Sequence, residues 1–99
     1  REVLQRAGVT SANQMQFVEL HDAFAVQGLS FKKGLSLASE RLNAHGGGLA
    51  RGHPIGASAA IALVRVLADL DREGHSTSQG LVAVAGAGGL GAAAVVTKL

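Results

Sequence analysis

A glycine-rich string from Asn43 to Ser58 constrains this chain more than any other segment. It places two glycine-rich turns around His53 and then enters a helix of small apolar residues. Glycine permits positive φ and a close approach of the backbone, and Pro54 fixes its own φ and removes a hydrogen-bond donor. Such a loop holds an imidazole at a defined place before a helix begins. The pattern favours a histidine that meets a substrate, and the alternative is an ordinary turn histidine.

Strands and helices are predicted on both sides of this loop. The predicted strands are Met15 to Leu20, Leu81 to Ala85 and Ala92 to Val96, the last two joined by a turn from Gly86 to Gly91. The predicted helices are Arg1 to Ala7, a helix capped by Asp22 with Phe24, Gly28, Phe31 and Leu35 on one stripe, and Ala57 to Leu70. Residues 37–42 are either a loop or one helical turn. The order indicates an α/β fold with a helix packed against a sheet.

Three local patterns refine this interpretation. Ser11 and Gln14 have the spacing of a capping box before the first strand. The segment from Ala57 to Val64 is apolar on every side, which indicates a helix that is covered all round. Residues 80–97 carry no charge, but four glycines in their middle favour two strands over a membrane helix.

Composition excludes several classes of function. The chain has 99 residues, enough for one small domain, and 47% of them are hydrophobic. The formal charge is only +2 and the basic residues form no block, so nucleic-acid binding is not expected. Without cysteine the chain has no thiolate nucleophile and no zinc-thiolate site. The four histidines and seven acids lack ligand spacing, so no metal site is expected. No signal-peptide pattern is present, and a cytoplasmic location is the expectation.

Three motifs together resemble the C-terminal part of the thiolase family. The first is Asn-x-x-Gly-Gly followed by Gly-His-Pro-x-Gly-Ala-Ser, within residues 43–58. The second is the segment from Glu19 to Gln27, which resembles the family's Asn-Glu-Ala-Phe-Ala. The third is the closing turn at residues 86–91. The resemblance implies a mixed sheet packed on helices, with residues 1–99 as a partial C-terminal domain whose nucleophile-bearing N-terminal half is not in this chain.

The same resemblance assigns candidate site residues. It implies that His53 takes a proton from a nucleophilic cysteine or binds the thioester oxygen, for which an imidazole with a pKa near neutrality is suited. His21 stands where many thiolases have asparagine, and its His-Asp-x-Phe setting resembles the sterol-carrier-protein branch. There it implies a hydrogen-bond donor to a developing enolate; the alternative is a structural histidine at a strand end. The resemblance implies that Asn43 helps to shape the catalytic loops; the alternative is that it only forms an Asx-turn. Gly88 and Gly89 are expected to bring backbone N–H groups near the reacting centre.

Two positions depart from the family pattern. Ala85 stands where typical thiolases have the cysteine that exchanges a proton with the α-carbon of acetyl-CoA. In the His-Asp-x-Phe branch the thiol can instead follow the His-Asp pair, and here that position is Ala23. A positioned acid or base is worth about 10²–10⁴ in rate, so the reaction is expected to be altered. His45 and His75 have no motif support and are expected to be solvated.

The resemblance implies a thiolase-like acyltransferase of the acetyl-CoA acetyltransferase type, which makes or breaks a C–C bond next to a thioester. Coenzyme A or acyl-CoA would be its substrate, with no covalently bound cofactor, and an N-terminal half or partner chain in an oligomer would complete the site. The chain by itself is expected to be inactive. The alternatives are a non-catalytic partner subunit and a thiolase-like aldolase component. A β-ketoacyl synthase relative would carry Gly-His-Thr, and Pro54 argues against it.

Overall fold

A computed structural model describes all residues from 1 to 99, and a three-stranded mixed sheet lies at its centre. Its strands are β1 (Phe17–His21), β2 (Gln79–Gly86) and β3 (Leu90–Thr97), in that order. β1 and β2 are parallel, whereas β2 and β3 form an antiparallel hairpin. The predicted α/β class with a mixed sheet is therefore confirmed.

Four helices accompany the sheet. They are α1 (Glu2–Arg6), α2 (Ala25–Leu35), α3 (Gly48–Arg51) and α4 (Ser58–Glu73). Short 3-10 turns cover Ala12–Gln14, Ser39–Arg41 and Ala87–Gly89. The ambiguous segment at residues 37–42 is thus one helical turn. Because β1 and β2 are parallel, the chain must cross over between them, and α2, α3 and α4 all lie in that crossover.

The sheet separates two apolar layers, because side chains alternate between the faces of a strand. Val18 and Leu81 are paired in register and face the layer of α1. That layer contains the buried side chains of Leu4, Val9, Ala12, Met15, Val18, Leu37 and Leu81. Val82 faces the other way and packs against Ala62, Val66 and Leu70 of α4.

Helix α4 is covered on one side only within this chain. Ala62 and Val66 are fully buried against the sheet. On the opposite side Val64 is 64% exposed and Leu67 is 47% exposed. The prediction of a helix covered all round is therefore not met by these 99 residues, because the chain supplies a sheet on one side of α4 and no second layer.

Helix α2 differs from its prediction in two ways. It begins at Ala25 with Phe24 as the N-cap residue, so Asp22 does not cap it. Only part of the predicted apolar stripe packs against the core. Phe31 and Leu35 contact the α1 layer, whereas Phe24 is 67% exposed. The reason is that α2 touches the core only with its second half.

The uncharged C-terminal segment forms the β2–β3 hairpin, as the sequence predicts. No helix of the structure has the length and apolar character that a membrane crossing requires.

Candidate active site

His21 and His53 meet at the carboxyl end of β1. Their ring centroids lie 4.4 Å apart with 30° between the ring planes, so the rings are stacked. His21 is the last residue of β1 and is buried, whereas His53 is exposed in the loop between α3 and α4. Residues that lie far apart in the sequence thus form one pair, with His53 on the solvent side.

Ser58 fixes the orientation of the His53 ring. The Nδ1 atom of His53 lies 2.8 Å from Oγ of Ser58, the buried first residue of α4. The Ser58 hydroxyl also donates to the carbonyl of Pro54 at 3.3 Å. With the hydroxyl proton used there, the Ser58 oxygen is placed to accept from Nδ1–H of His53, an arrangement that in the neutral ring favours the tautomer with its proton on Nδ1. Sequence reasoning missed Ser58, although the His-Pro-x-Gly-Ala-Ser string ends on it.

The environment of His21 favours the neutral imidazole. Burial lowers the pKa of His21 from its ordinary value of 6.5, and the neighbouring His53 lowers it further. The Asp22 carboxylate opposes this pKa shift, Arg51 adds to it, and the net direction is down. Nε2 of His21 is enclosed and has no hydrogen-bond partner. A buried polar atom without a partner costs about 1–3 kcal/mol, and such atoms are uncommon outside functional sites and water positions.

Asp22 holds the glycine-rich loop rather than its own helix. Its Oδ1 accepts hydrogen bonds from the backbone N–H of Gly48 at 2.5 Å and of Leu49 at 3.3 Å. These are N–H groups of the first turn of α3, which have no partner within a helix. The loop passes so close to β1 that a Cβ on Gly48 would lie 2.8 Å from Cε1 and Nδ1 of His21. Glycine is therefore required there by close approach.

Asn43 ties the start of the loop to β1. Its side-chain Oδ1 accepts from the backbone N–H of Leu20 at 2.8 Å, and its own N–H donates to the carbonyl of Val18 at 2.9 Å. Asn43 also adopts a positive φ of 51°, which asparagine tolerates better than most residues. This contact with the strand goes beyond a local Asx-turn.

The remaining candidate positions lie around the same edge of the sheet. Ala85 follows Val84, the register partner of His21, and is exposed. Gly88 and Gly89 both have φ of 78° in the exposed hairpin turn beyond β2, and a Cβ added to either would meet nothing within 4 Å. Ala23 is half-buried directly after Asp22.

His45 and His75 lie outside the histidine pair, and both are exposed, as expected for solvated histidines. His45 nevertheless has a neighbour: its Nε2 lies 3.6 Å from Oδ1 of the buried Asp69. No group of three or more His, Asp or Glu side chains has the arrangement of a metal site.

A cavity of about 590 Å³ lies on the other side of the sheet from α4 and is lined in part by Leu20, Ala83 and Ala85. It contains neither His21 nor His53. The stacked imidazoles therefore lie outside this cavity.

The known proteins that this chain resembles belong to one family. Residues 1–98 match the family described as thiolase, C-terminal domain. An acetyl-CoA acetyltransferase from Chromobacterium violaceum is 39% identical over 98 residues, which cover 99% of this chain and 24% of that protein. Acetyl-CoA acetyltransferase 1 from Arabidopsis thaliana is 40% identical over 97 residues, covering 98% of this chain and 22% of that protein.

The fold comparison gives the same result. A crystal structure of a thiolase from Ascaris suum in complex with coenzyme A superposes with a TM-score of 0.82 at 34% identity. The match covers 99% of this chain and 24% of that one. The chain thus spans about a quarter of the length of the relatives it matches. With the family match over residues 1–98 and the stacked histidines at the strand edge, the chain belongs to the thiolase family as a C-terminal domain.

Proposed function

We propose that this chain is the histidine-bearing part of a thiolase-like acyltransferase that acts on acyl-CoA thioesters. The observation that carries the proposal is the His21–His53 stack, with Nδ1 of His53 bonded to Ser58. In the tautomer that Ser58 favours, the exposed His53 imidazole has no proton on Nε2 and is suited to accept one from a nucleophile. The nucleophilic thiol comes from another part of the protein, because this chain has no cysteine.

His21 serves the same centre in a different way. Two neighbouring imidazolium ions would repel each other. Because His21 is neutral, it does not oppose the transfer of a proton to His53. The unpaired Nε2 of His21 is the ring position available to a thioester oxygen or an ordered water that enters the site. This role supports assignment to the His-Asp-x-Phe branch of the family.

The loops around the pair have supporting roles. Asn43 fixes the start of the glycine-rich loop on β1, and Gly88 and Gly89 shape the rim of the same sheet edge. Ala85 and Ala23 leave both family positions of the second thiol without sulfur. The proposed reaction is therefore an acyl transfer, or a C–C cleavage of retro-aldol type, that needs a stabilised thioester oxygen but no acid–base thiol from this chain.

The exposed side of α4 indicates where the rest of the protein packs. A groove of about 350 Å³ runs along it, lined mainly by apolar side chains: Arg51, Ala57, Ala60, Ile61, Val64, Arg65 and Ala68. The relatives are about four times longer than this chain, and we propose that a nucleophile-bearing half covers this surface. The same surface favours the second candidate function, a non-catalytic subunit that docks on an active thiolase-like chain.

The test of the first function is His53→Ala in the complete protein. We expect kcat to fall about 100-fold or more because a positioned proton acceptor is lost. The stability should change by about 1 kcal/mol or less, because His53 is exposed and makes one side-chain hydrogen bond. His45→Ala is the matched control in the same loop. Equal effects of the two substitutions on kcat would favour the non-catalytic subunit.

A second measurement concerns the isolated chain. Without cysteine it should not convert acetoacetyl-CoA and coenzyme A into acetyl-CoA. Loss of the β-ketothioester is followed by absorbance, and turnover above background would contradict the assignment of the nucleophile to another part of the protein.

A further inference from the structure

An ion pair between a buried carboxylate and a partly exposed guanidinium lies beside the two histidines. Glu19 on β1 has a side chain only 3% exposed, and its Oε2 lies 2.9 Å from a guanidinium nitrogen of Arg51. The Arg51 side chain is 26% exposed, so the buried charge is that of Glu19. Taking one charge out of water costs several kcal/mol, and an apolar residue of the same size often serves stability as well. Stability alone therefore does not explain this ion pair. Its position in the fold suggests a role in the geometry of the site.

The ion pair and the histidine pair connect the same two segments. Glu19 precedes His21 by two residues, so the two side chains leave β1 on the same face, about 7 Å apart. Arg51 is the last residue of α3 and precedes His53 by two residues. Each segment thus contributes one charged residue and one imidazole, and the Glu19–Arg51 contact runs alongside the His21–His53 stack.

His53 is otherwise held from one side only. Ser58 anchors its ring from the α4 side through Nδ1. On the other side the chain passes through Gly52 to Arg51, whose contact with Glu19 joins the end of α3 to the sheet. Asp22 holds only the start of this helix. A displacement of about 1 Å in a catalytic group can cost 100-fold in rate, so an anchor on this side has a direct consequence for the chemistry.

We propose that Glu19 and Arg51 are positioning residues that hold His53 in its stacked place over His21. They touch no reacting atom in this arrangement and act through His53. The proposal rests on the proposed function only for its kinetic readout, because the placement of the rings can be measured without activity. Arg51 also contributes to the lowered pKa of His21, and Asp22 and His53 are the other titratable groups that act on this ring.

The test uses the complete protein with Glu19→Leu/Arg51→Met. The double substitution removes the buried Glu19 carboxylate together with its cationic partner, which avoids the unfolding that a buried carboxylate without a partner risks. We expect the variant to remain folded, with kcat lowered about 10- to 100-fold and KM little changed. Histidine-labelled NMR should show the pKa of His21 raised, because burial by the stacked ring and the repulsion from Arg51 both weaken. A crystal structure of the variant should show the ring centroids farther apart than 4.4 Å.

The matched control is the double substitution Asp69→Leu/Arg72→Met, which also removes both partners of one ion pair. Arg72 makes the same kind of contact, 2.8 Å to the buried Asp69, but neither residue is next to a histidine of the pair in sequence. The kcat and the His21 titration of this control should equal those of the unchanged protein. Arg51→Lys, which keeps the charge, should restore part of kcat relative to Arg51→Met.

Two results would overturn the proposal: a Glu19→Leu/Arg51→Met variant with unchanged kcat and ring separation, or an equal loss of kcat in the Asp69→Leu/Arg72→Met control. The outcomes separate it from the proposed function. If His53→Ala retains full activity, the proposed function fails, and the ring separation in the Glu19→Leu/Arg51→Met variant still decides the positioning role. If His53→Ala is inactive while the Glu19→Leu/Arg51→Met variant is unchanged, only the positioning role fails.

Discussion

The two glycine-rich connections of this chain look alike in sequence and behave differently in the structure. The His53 loop (residues 43–57) lies against β1, with Gly47 and Gly48 buried and hydrogen bonds to Asp22 and from Leu20 to Asn43. The hairpin turn (residues 86–91) is exposed at every position. In the first, glycine allows a close approach to a histidine; in the second, it allows positive φ in a turn. Glycine content alone therefore does not distinguish a loop at the candidate site from a simple turn. The contacts of the loop with polar side chains such as Asp22 and Asn43 make that distinction.

The largest difference in kcat between the two connections should appear when one glycine of each is replaced by alanine. Gly48→Ala places a Cβ 2.8 Å from the His21 ring and 3.2 Å from the Asp22 carbonyl, so the loop must shift. In the complete protein we expect kcat to fall about 100-fold. Gly88→Ala meets nothing within 4 Å but has φ of 78°, and it should cost about 1–2 kcal/mol of stability with a smaller loss of kcat. Equal kcat losses would mean that the hairpin turn takes a direct part in the chemistry.

A smaller effect is expected from removing the carboxylate that holds the His53 loop. Asp22→Ala leaves the N–H groups of Gly48 and Leu49 without their acceptor, which should lower the free energy of unfolding by about 1–3 kcal/mol. Denaturant unfolding measures this. Asp71→Ala, at an exposed position of α4, is the control and should stay within about 0.5 kcal/mol. If both substitutions are equally mild, the hydrogen bonds to Asp22 do not stabilise the loop.

The smallest expected effect is a dependence of stability on pH. It should come from His21 beside the His53 loop, because the hairpin turn has no titratable side chain. The pKa of His21 is lower in the folded protein than the unfolded value of 6.5. Between these two values the unfolded chain binds more protons, so stability decreases as pH falls through that window and is constant on either side of it. Unfolding measured from pH 5 to 8 in the unchanged protein and in His21→Asn isolates this contribution. The same slope in both would assign it to another group.

Much of the fold is readable from local patterns. The capping box at Ser11 and Gln14, the strand around Val18, helix α4 and the β2–β3 hairpin all form where the sequence predicts them. Each depends on residues close in sequence. The predicted cap of α2 and the first half of its apolar stripe are wrong, because the pattern within one helix does not show what surrounds it. Asp22 binds the His53 loop instead of capping α2, and Phe24 is exposed to solvent.

The sequence by itself determined the family, the α/β class and the two histidines as candidates, because motif spacing and periodicity are local properties of the chain. Only the tertiary structure decided that His21 and His53 stack, that Ser58 orients the His53 ring, that Asp22 holds α3, and that Glu19 pairs with Arg51. These contacts join residues that are brought together when the crossover returns the chain to the sheet. Hydrogen bonds and pKa shifts depend on distance and burial, and neither exists until that crossover is folded.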